Sequence, residues 1–356
     1  MTRLFALLLA GCSITSPPRT ETRAPRIETA RASAPATGEP AIGEPEPAPP
    51  PEPAPPPDPV ATILAMSGSE STSIGGPNEG RLEGGVALPE RAPGLQSNAR
   101  RPNATAIHGT VELVQALLHA AETVARELPG GTELYVNDIG LPGGGPIPHH
   151  GSHRVGRDAD VLFYLLDREG RPIAPVGAFL DPRGRGYDFK DLAVPGDDVL
   201  VRLDAPRTWR FVQALLEGPR GGEVQRIFVA EHLRTLLLQQ AERARAPRAV
   251  RDRFAEITCQ PGYPHDDHFH VRFFCSAEDI GRGCQDASPI YPWRLQALGG
   301  VEPVLYRPRS DRPRAQTTTA AQARAEAGEM HSRVQEWLQM REAWMRAPHP
   351  GRTYCR

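Results

Sequence analysis

Residues 265–275 read HDDHFHVRFFC, and the alternation inside this stretch decides the architecture. Successive side chains of a β-strand point to opposite faces, so positions i and i+2 share a face. His268 and His270 therefore project together, and Phe269 turns the other way, toward a core. A lone pair of strand histidines is more often surface decoration than a ligand pair. A second cluster upstream changes that balance. Residues 149–160, HHGSHRVGRDAD, bring His149, His150, His153, Asp158 and Asp160 within twelve positions. There a glycine-rich loop delivers histidines, and the strand that follows delivers a carboxylate.

Outward from these two clusters, the periodicity alternates between helix and strand. TVELVQALLHAAETVAREL (110–128) carries Val111, Val114, Leu117, Leu118, Ala121 and Val124 at helical spacing, with Thr110 as its cap and PGG as its stop. TELYVNDIGL (132–141) and DADVLFYLL (158–166) read as strands. A helix near 205–217 has Asp204 as cap and Pro206 in its first turn. VQRIFVA (224–230) reads as a strand, EHLRTLLLQQAERAR (231–245) as a helix, and HFHVRFFC (268–275) as a strand. Helices interspersed among short strands predict an α+β domain on a small, mostly antiparallel sheet flanked by helices. Its expected extent is 70–310. A C-terminal helical extension follows over 311–356. Within it, 320–346 place Met330, Val334, Trp337, Leu338, Trp344 and Met345 on one face, expected to pack on the domain.

The chain has 356 residues, a net charge of −2 and 39 prolines. A charge so close to balance gives no basic field for nucleic acid, and no such partner is expected. The prolines concentrate over 13–69, as in GEPEPAPPPEPAPPPDP (43–59), among Ala, Glu, Ser and Thr. Such a segment buries too little apolar surface to offset its ordering entropy, which predicts a disordered linker. Its Pro-rich part would act as a semi-rigid spacer of about 3.1 Å per residue. Residues 1–12, MTRLFALLLAGC, combine a positive start, a short apolar run and small residues before a cysteine. This start resembles a bacterial lipoprotein signal, which would make Cys12 the lipidated residue and place the domain in the periplasm, lipid-anchored to the outer membrane.

Removing Cys12 leaves Cys259, Cys275, Cys284 and Cys355, an even number suited to disulfides in an oxidising compartment. Cys275 and Cys284 are close in sequence and are the expected pair. Cys259 with Cys355 is the combination that remains. None of the four forms a pair of CxxC motifs, which argues against a structural zinc knuckle.

Two imidazoles and one carboxylate are a common protein ligand set for catalytic zinc, which leaves a fourth position to water and brings its pKa to about 7. His153-x6-Asp160 followed far downstream by His268-x-His270 resembles the pattern of the LAS metallopeptidases, the group of lysostaphin and D-Ala-D-Ala carboxypeptidase. More narrowly, the chain resembles the penicillin-insensitive murein endopeptidases. The matching stretches are SIGGPNEGRLEGGVALP (73–89), DIGLPGGGP (138–146), HGSHRVGRDADV (150–161), VQRIFV (224–229) and HDDHFHVRFFC. The resemblance implies Zn2+ held by His153, Asp160 and His270, with His268 as the catalytic histidine. His150 and His265 match further family histidines that contact substrate or a second ion. Cys275 matches a family cysteine and Cys284 its partner, whereas other family cysteines have no counterpart here, which leaves the pairing of Cys259 with Cys355 open. The chain has no HExxH, so an imidazole must serve as general base or oxyanion stabiliser.

By the same resemblance the reaction is hydrolysis of D-alanyl–meso-diaminopimelate cross-links between peptidoglycan stem peptides. A D,D-carboxypeptidase on the same scaffold is the nearest alternative, and a non-catalytic wall-binding lipoprotein is an alternative from another class. Asp158 is expected to orient a ligand or hydrogen-bond the loop. Asp266 and Asp267 read equally as turn formers or as supports of the site. His149 is expected to be exposed, and His108, His119 and His232 to lie on the surface or on helices away from the site.

Overall fold

The computed structural model describes residues 58–98, 103–308, 325–346 and Cys355. The signal-like start, Cys12 and residues 13–57 of the proline-rich stretch lie outside the described residues. A short helix, Pro59–Ala65, begins inside the 13–69 stretch read as linker, capped by Asp58, whose carboxylate accepts from Val60 N at 3.0 Å. It has a reason to order. Gln115 Nε2 donates to the carbonyls of Ile63 and Met66, both at 2.9 Å, and ties it to the long helix Val111–Glu127.

The architecture is α+β, as the alternating periodicities require. Seven strands form the central sheet: β1 (Arg91–Ala92), β2 (Leu95–Ser97), β3 (Leu134–Val136), β4 (Asp158–Leu162), β5 (Val224–Phe228), β6 (Thr258–Cys259) and β7 (His268–Phe273). Their spatial order is β6-β5-β7-β4-β3-β2-β1. Pairings are antiparallel except β5–β6 and β2–β3, which are parallel. A four-stranded sheet (165–166, 172–173, 185–188 and 199–203) and two small two-stranded sheets complete the β-structure among the described residues.

One face of the central sheet is apolar and covered by helices. Phe269 meets Phe163 edge-on at 4.8 Å and stacks with Phe211 at 6.5 Å, and Trp209 meets Phe254 at 5.4 Å. Phe211 and Trp209 belong to the helix Ala205–Glu217, and Phe254 to the helix Arg248–Ile257. The caps fall where the sequence puts them: Thr110 Oγ1 accepts from Leu113 N, and Asp204 Oδ1 from Arg207 N.

Three boundaries differ from the sequence expectation. Of 132–141 only Leu134–Val136 pairs in the sheet; Asp138 and Ile139 leave it, and their carbonyls accept from Asp160 N and His153 Nδ1. DADVLFYLL divides after Leu162, and Leu165–Leu166 joins the four-stranded sheet. Among the described residues the C-terminal helix runs Ser332–Arg346, and Gly328, with a left-handed φ of 71° that no continuous helix accommodates, separates it from what precedes; the parts of the expected extension at 311–324 and 347–354 lie outside the described residues. The helix does pack on the domain. Val334 and Leu338 are buried against Phe179 and Leu192, with Met330 beside them.

Both disulfides form, Cys275–Cys284 and Cys259–Cys355. Next to the first, a fully buried Arg157 donates to Ser73 Oγ, Phe273 O, Asp286 Oδ1 and Gln285 O at 2.8–3.0 Å. The residue immediately before β4 is thereby locked to the end of β7. Beside it, Ser73 N donates to Asp279 Oδ2 at 3.1 Å, pinning the hairpin 72–83 to the short helix Ala277–Gly281.

Burial pushes the Asp279 carboxyl up to about 6, and Glu112 and Glu278 push it the same way. The folded state thus holds a proton that the unfolded chain, at about 4, has released. Its contribution to stability is full below pH 4 and falls as pH rises toward 6. Asp279→Asn retains the acceptor for Ser73 and removes the buried charge. The variant is expected to be more stable than the parent by about 2 kcal/mol at pH 7, with the gap closing below pH 4 in urea titrations. A gap that does not change with pH would refute the assignment.

Candidate metal centre

The site lies on the face of the sheet opposite Phe269, and strand register builds it. β7 and β4 run antiparallel with His270 opposite Asp160, Arg272 opposite Asp158 and His268 opposite Leu162. Directly opposed residues share a face. The DAD of β4 and the HFHVR of β7 thus put two carboxylates, two imidazoles and one guanidinium on one side, with Ala159, Phe269 and Val271 on the other.

Asp160 is the hub. Its Oδ1 lies 3.2 Å from His153 Nε2, 3.4 Å from His268 Nε2 and 3.5 Å from His270 Nδ1, and its Oδ2 lies 3.7 Å from His150 Nδ1. His150, His153 and Asp160 offer donor atoms all within 4.8 Å of one another, close enough to hold a metal ion. His265 stands beside the cluster, its ring 4.9 Å from that of His268 and 5.5 Å from that of His270. All six residues singled out in the sequence therefore meet in one place.

His153, His270 and His150 are each held by a hydrogen bond at the other ring nitrogen. His153 Nδ1 donates to Ile139 O at 2.9 Å, His270 Nε2 to Asp158 Oδ1 at 2.8 Å, and His150 Nε2 to Asp138 Oδ2 at 3.0 Å. His268 Nδ1 sits 2.7 Å from Asp267 Oδ1. Such outer partners fix the tautomer of a metal-ligating imidazole and raise its basicity. Asp158 is neutralised by Arg272 Nε at 2.6 Å and also accepts from His153 N. It hydrogen-bonds the loop at His153 N, one of the two roles read from the sequence, and holds the His270 ring. His153 adopts a left-handed φ of 64° and His265 one of 53°, backbone states that cost non-glycine residues about 1 kcal/mol or more. That strain is offset here by the contacts just described.

The donor set fits a cation. His153 Nε2 and Asp160 Oδ1 are buried, face each other at 3.2 Å and make no hydrogen bond. Unbonded buried polar atoms are costly, and a divalent ion between them satisfies both at once.

The electrostatics separate the two histidines of the HxH pair. Burial, with the neighbouring His153, pushes the His270 imidazole down to about 4. It is neutral at pH 7, the state a ligand needs. Burial also works against charge on His268, but the carboxylates of Asp267 and Asp160 outweigh it and hold that imidazole well above the usual histidine value. His265 is pushed well below it by burial and by His268 and His270. Burial opposes charge on His153 too, yet Asp160 pushes it up, so a proton and a metal ion compete for the same nitrogen.

Several contributors had no decisive signal in the sequence. Asp267 read equally as a turn former or a support of the site, and its carboxylate lies 2.7 Å from His268 Nδ1. Asp138 lies in the glycine-rich loop's approach and binds both His150 and Asn103 Nδ2, the latter at 2.6 Å. Arg272 was legible in principle, since it continues the HxH alternation by one more step. His149 is half-buried rather than exposed, and His232 is buried, with Nε2 donating to Leu180 O.

The family model of penicillin-insensitive murein endopeptidases matches residues 73–293. A protein named penicillin-insensitive murein endopeptidase from Haemophilus influenzae is 28% identical over 237 residues, covering 63% of this chain and 73% of the relative. One of the same name from Klebsiella pneumoniae is 27% identical over 231 residues, 65% of this chain and 75% of its own length. Another, from Escherichia coli O157:H7, is 27% identical over 221 residues, covering 62% and 71%.

Proposed function

We propose that this chain, which belongs to the penicillin-insensitive murein endopeptidase family, hydrolyses the D-alanyl–meso-diaminopimelate cross-links of peptidoglycan in a zinc-dependent reaction. The observation that carries the proposal is the convergence of His153 Nε2 and His270 Nδ1 on Asp160 Oδ1, with both rings clamped from behind. His153, Asp160 and His270 would hold the ion, and His150, 3.7 Å from the same carboxylate, stands where substrate or a second ion would be met. Zinc, when bound, supplies a Lewis acid that polarises the scissile carbonyl and lowers the pKa of the attacking water to about 7.

The remaining chemistry belongs to side chains. His268, held charged by Asp267, presents Nε2–H toward the oxygen that gains negative charge at the tetrahedral stage. Asp158 and Ile139 O keep the His270 and His153 rings from rotating. Burial of His153, His268 and His270 keeps bulk water from screening these charges. In this reading no side chain forms an acyl intermediate, so a β-lactam finds no nucleophile to trap. Residues 1–12 would direct export and lipidation at Cys12, and the proline-rich stretch would tether the domain in the periplasm, a compartment that suits the two disulfides.

The test is mass spectrometry of muropeptides after incubation with the purified protein. Cross-linked dimers should fall to monomers, the activity should vanish with chelator and return with zinc. Cleavage of monomeric pentapeptide alone would favour the carboxypeptidase reading. Failure to bind zinc would favour the non-catalytic one.

A further inference from the structure

The HDDH turn that carries His265 and His268 is held by backbone bonds from two neighbours: Ala230 N donates to His265 O and Leu180 N to Asp266 O. Its side-chain hold comes from elsewhere. Arg341 donates to both carboxylate oxygens of Asp266, Nη2 to Oδ1 at 2.6 Å and Nε to Oδ2 at 2.8 Å. Its guanidinium lies 3.9 Å over the ring centroid of Phe179. Asp266 is wholly buried and Arg341 nearly so. Arg341 stands on the C-terminal helix, outside the 73–293 stretch that matches the family.

We infer that Arg341 is a positioning residue for the site: by clamping Asp266, it sets the turn that aims Asp267 at His268. The inference rests on the proposed role of His268. A buried carboxylate without a partner is driven toward water, and this pair is bidentate and shielded, the strong form of an Arg–carboxylate contact. Asp266 and Asp267 are consecutive, so a displaced Asp266 moves the carboxylate that lies 2.7 Å from His268 Nδ1. The same helix is fixed independently of that pair, through Trp337 Nε1 donating to Phe179 O at 3.3 Å. Farther on, Cys355 is joined to Cys259, and its N donates to Gln260 O. The helix is thus held to the domain by a contact other than the one Arg341 makes.

Arg341→Met keeps much of the side-chain bulk but strands a buried carboxylate and is expected to lower stability. Arg341→Met with Asp266→Asn removes both charges and is expected to recover most of it. In the double variant kcat on cross-linked dimers should still fall about tenfold to a hundredfold with KM within about twofold, as for a misplaced catalytic group. Amides of 265–268 should exchange faster while β4 stays protected. A folded double variant with parental kcat and parental exchange at 265–268 would overturn the inference. If neither variant folds, hydrogen exchange of the unaltered protein in mild denaturant decides. Residues 265–267 should then open together with the helix Ser332–Arg346, and separate opening counts against the clamp. A parent chain that neither binds zinc nor cleaves dimers would defeat the functional reading instead, and the exchange measurements would still test the clamp.

Discussion

Asp160→Asn is expected to abolish zinc binding and to lower hydrolysis of cross-linked dimers by about a thousandfold or more, since the metal's contribution is lost whole. Asp160 is the only anion in the proposed ligand set, and three ring nitrogens crowd its Oδ1 at 3.2–3.5 Å. Histidines charge that carboxylate's surroundings positive: burial disfavours its ionised form, yet His153 and His268 hold it well below the usual carboxylate range. An amide of the same shape supplies neither the charge that attracts a divalent ion nor the counterion that His268 needs. Chelator competition reads the affinity and muropeptide release reads the activity. Retention of both would remove Asp160 from the centre and with it the proposed ligand set.

His268→Ala is expected to separate the two measurements. Zinc affinity should stay within about tenfold of the parent, the scale of an outer contact, while kcat falls about a hundredfold to a thousandfold, the cost of an oxyanion-stabilising group. The distinction follows from what stands behind each ring. His270 backs onto Asp158, whose charge is taken up by Arg272, and is pushed down to about 4 by burial and His153. His268 backs onto Asp267 and is held charged. His270 can therefore take a metal at Nδ1 without first losing a proton, whereas His268 is set to donate. His270→Ala should accordingly lose both zinc and turnover. If His268→Ala loses zinc and turnover in proportion, the two histidines exchange roles.

Much of this centre was legible in the sequence because strand chemistry is local. HFH and DAD each alternate with period two, so the side that His268 and His270 share, and the side that Asp158 and Asp160 share, follow from backbone geometry alone. The helix caps at Thr110 and Asp204 were legible for the same reason, since a cap bonds within three residues of itself. Asp267 was not. A carboxylate beside a histidine reads equally well as a turn former, and only the backbone path around His265, with its left-handed φ, decides where it points. Nor was Gln115, which lies within a helix and orders a short helix that composition assigned to the linker.

The α+β class, the two histidine clusters and the faces on which their residues lie follow from residue order alone, because period-two and helical patterning are properties of neighbouring residues. The tertiary structure alone decided that His270 stands opposite Asp160, that Asp158 meets Arg272, and that a helix some 75 positions away closes on Asp266. Those are pairings between distant segments. They depend on strand register and on how the cost of burying each charge is offset, and no local pattern encodes either.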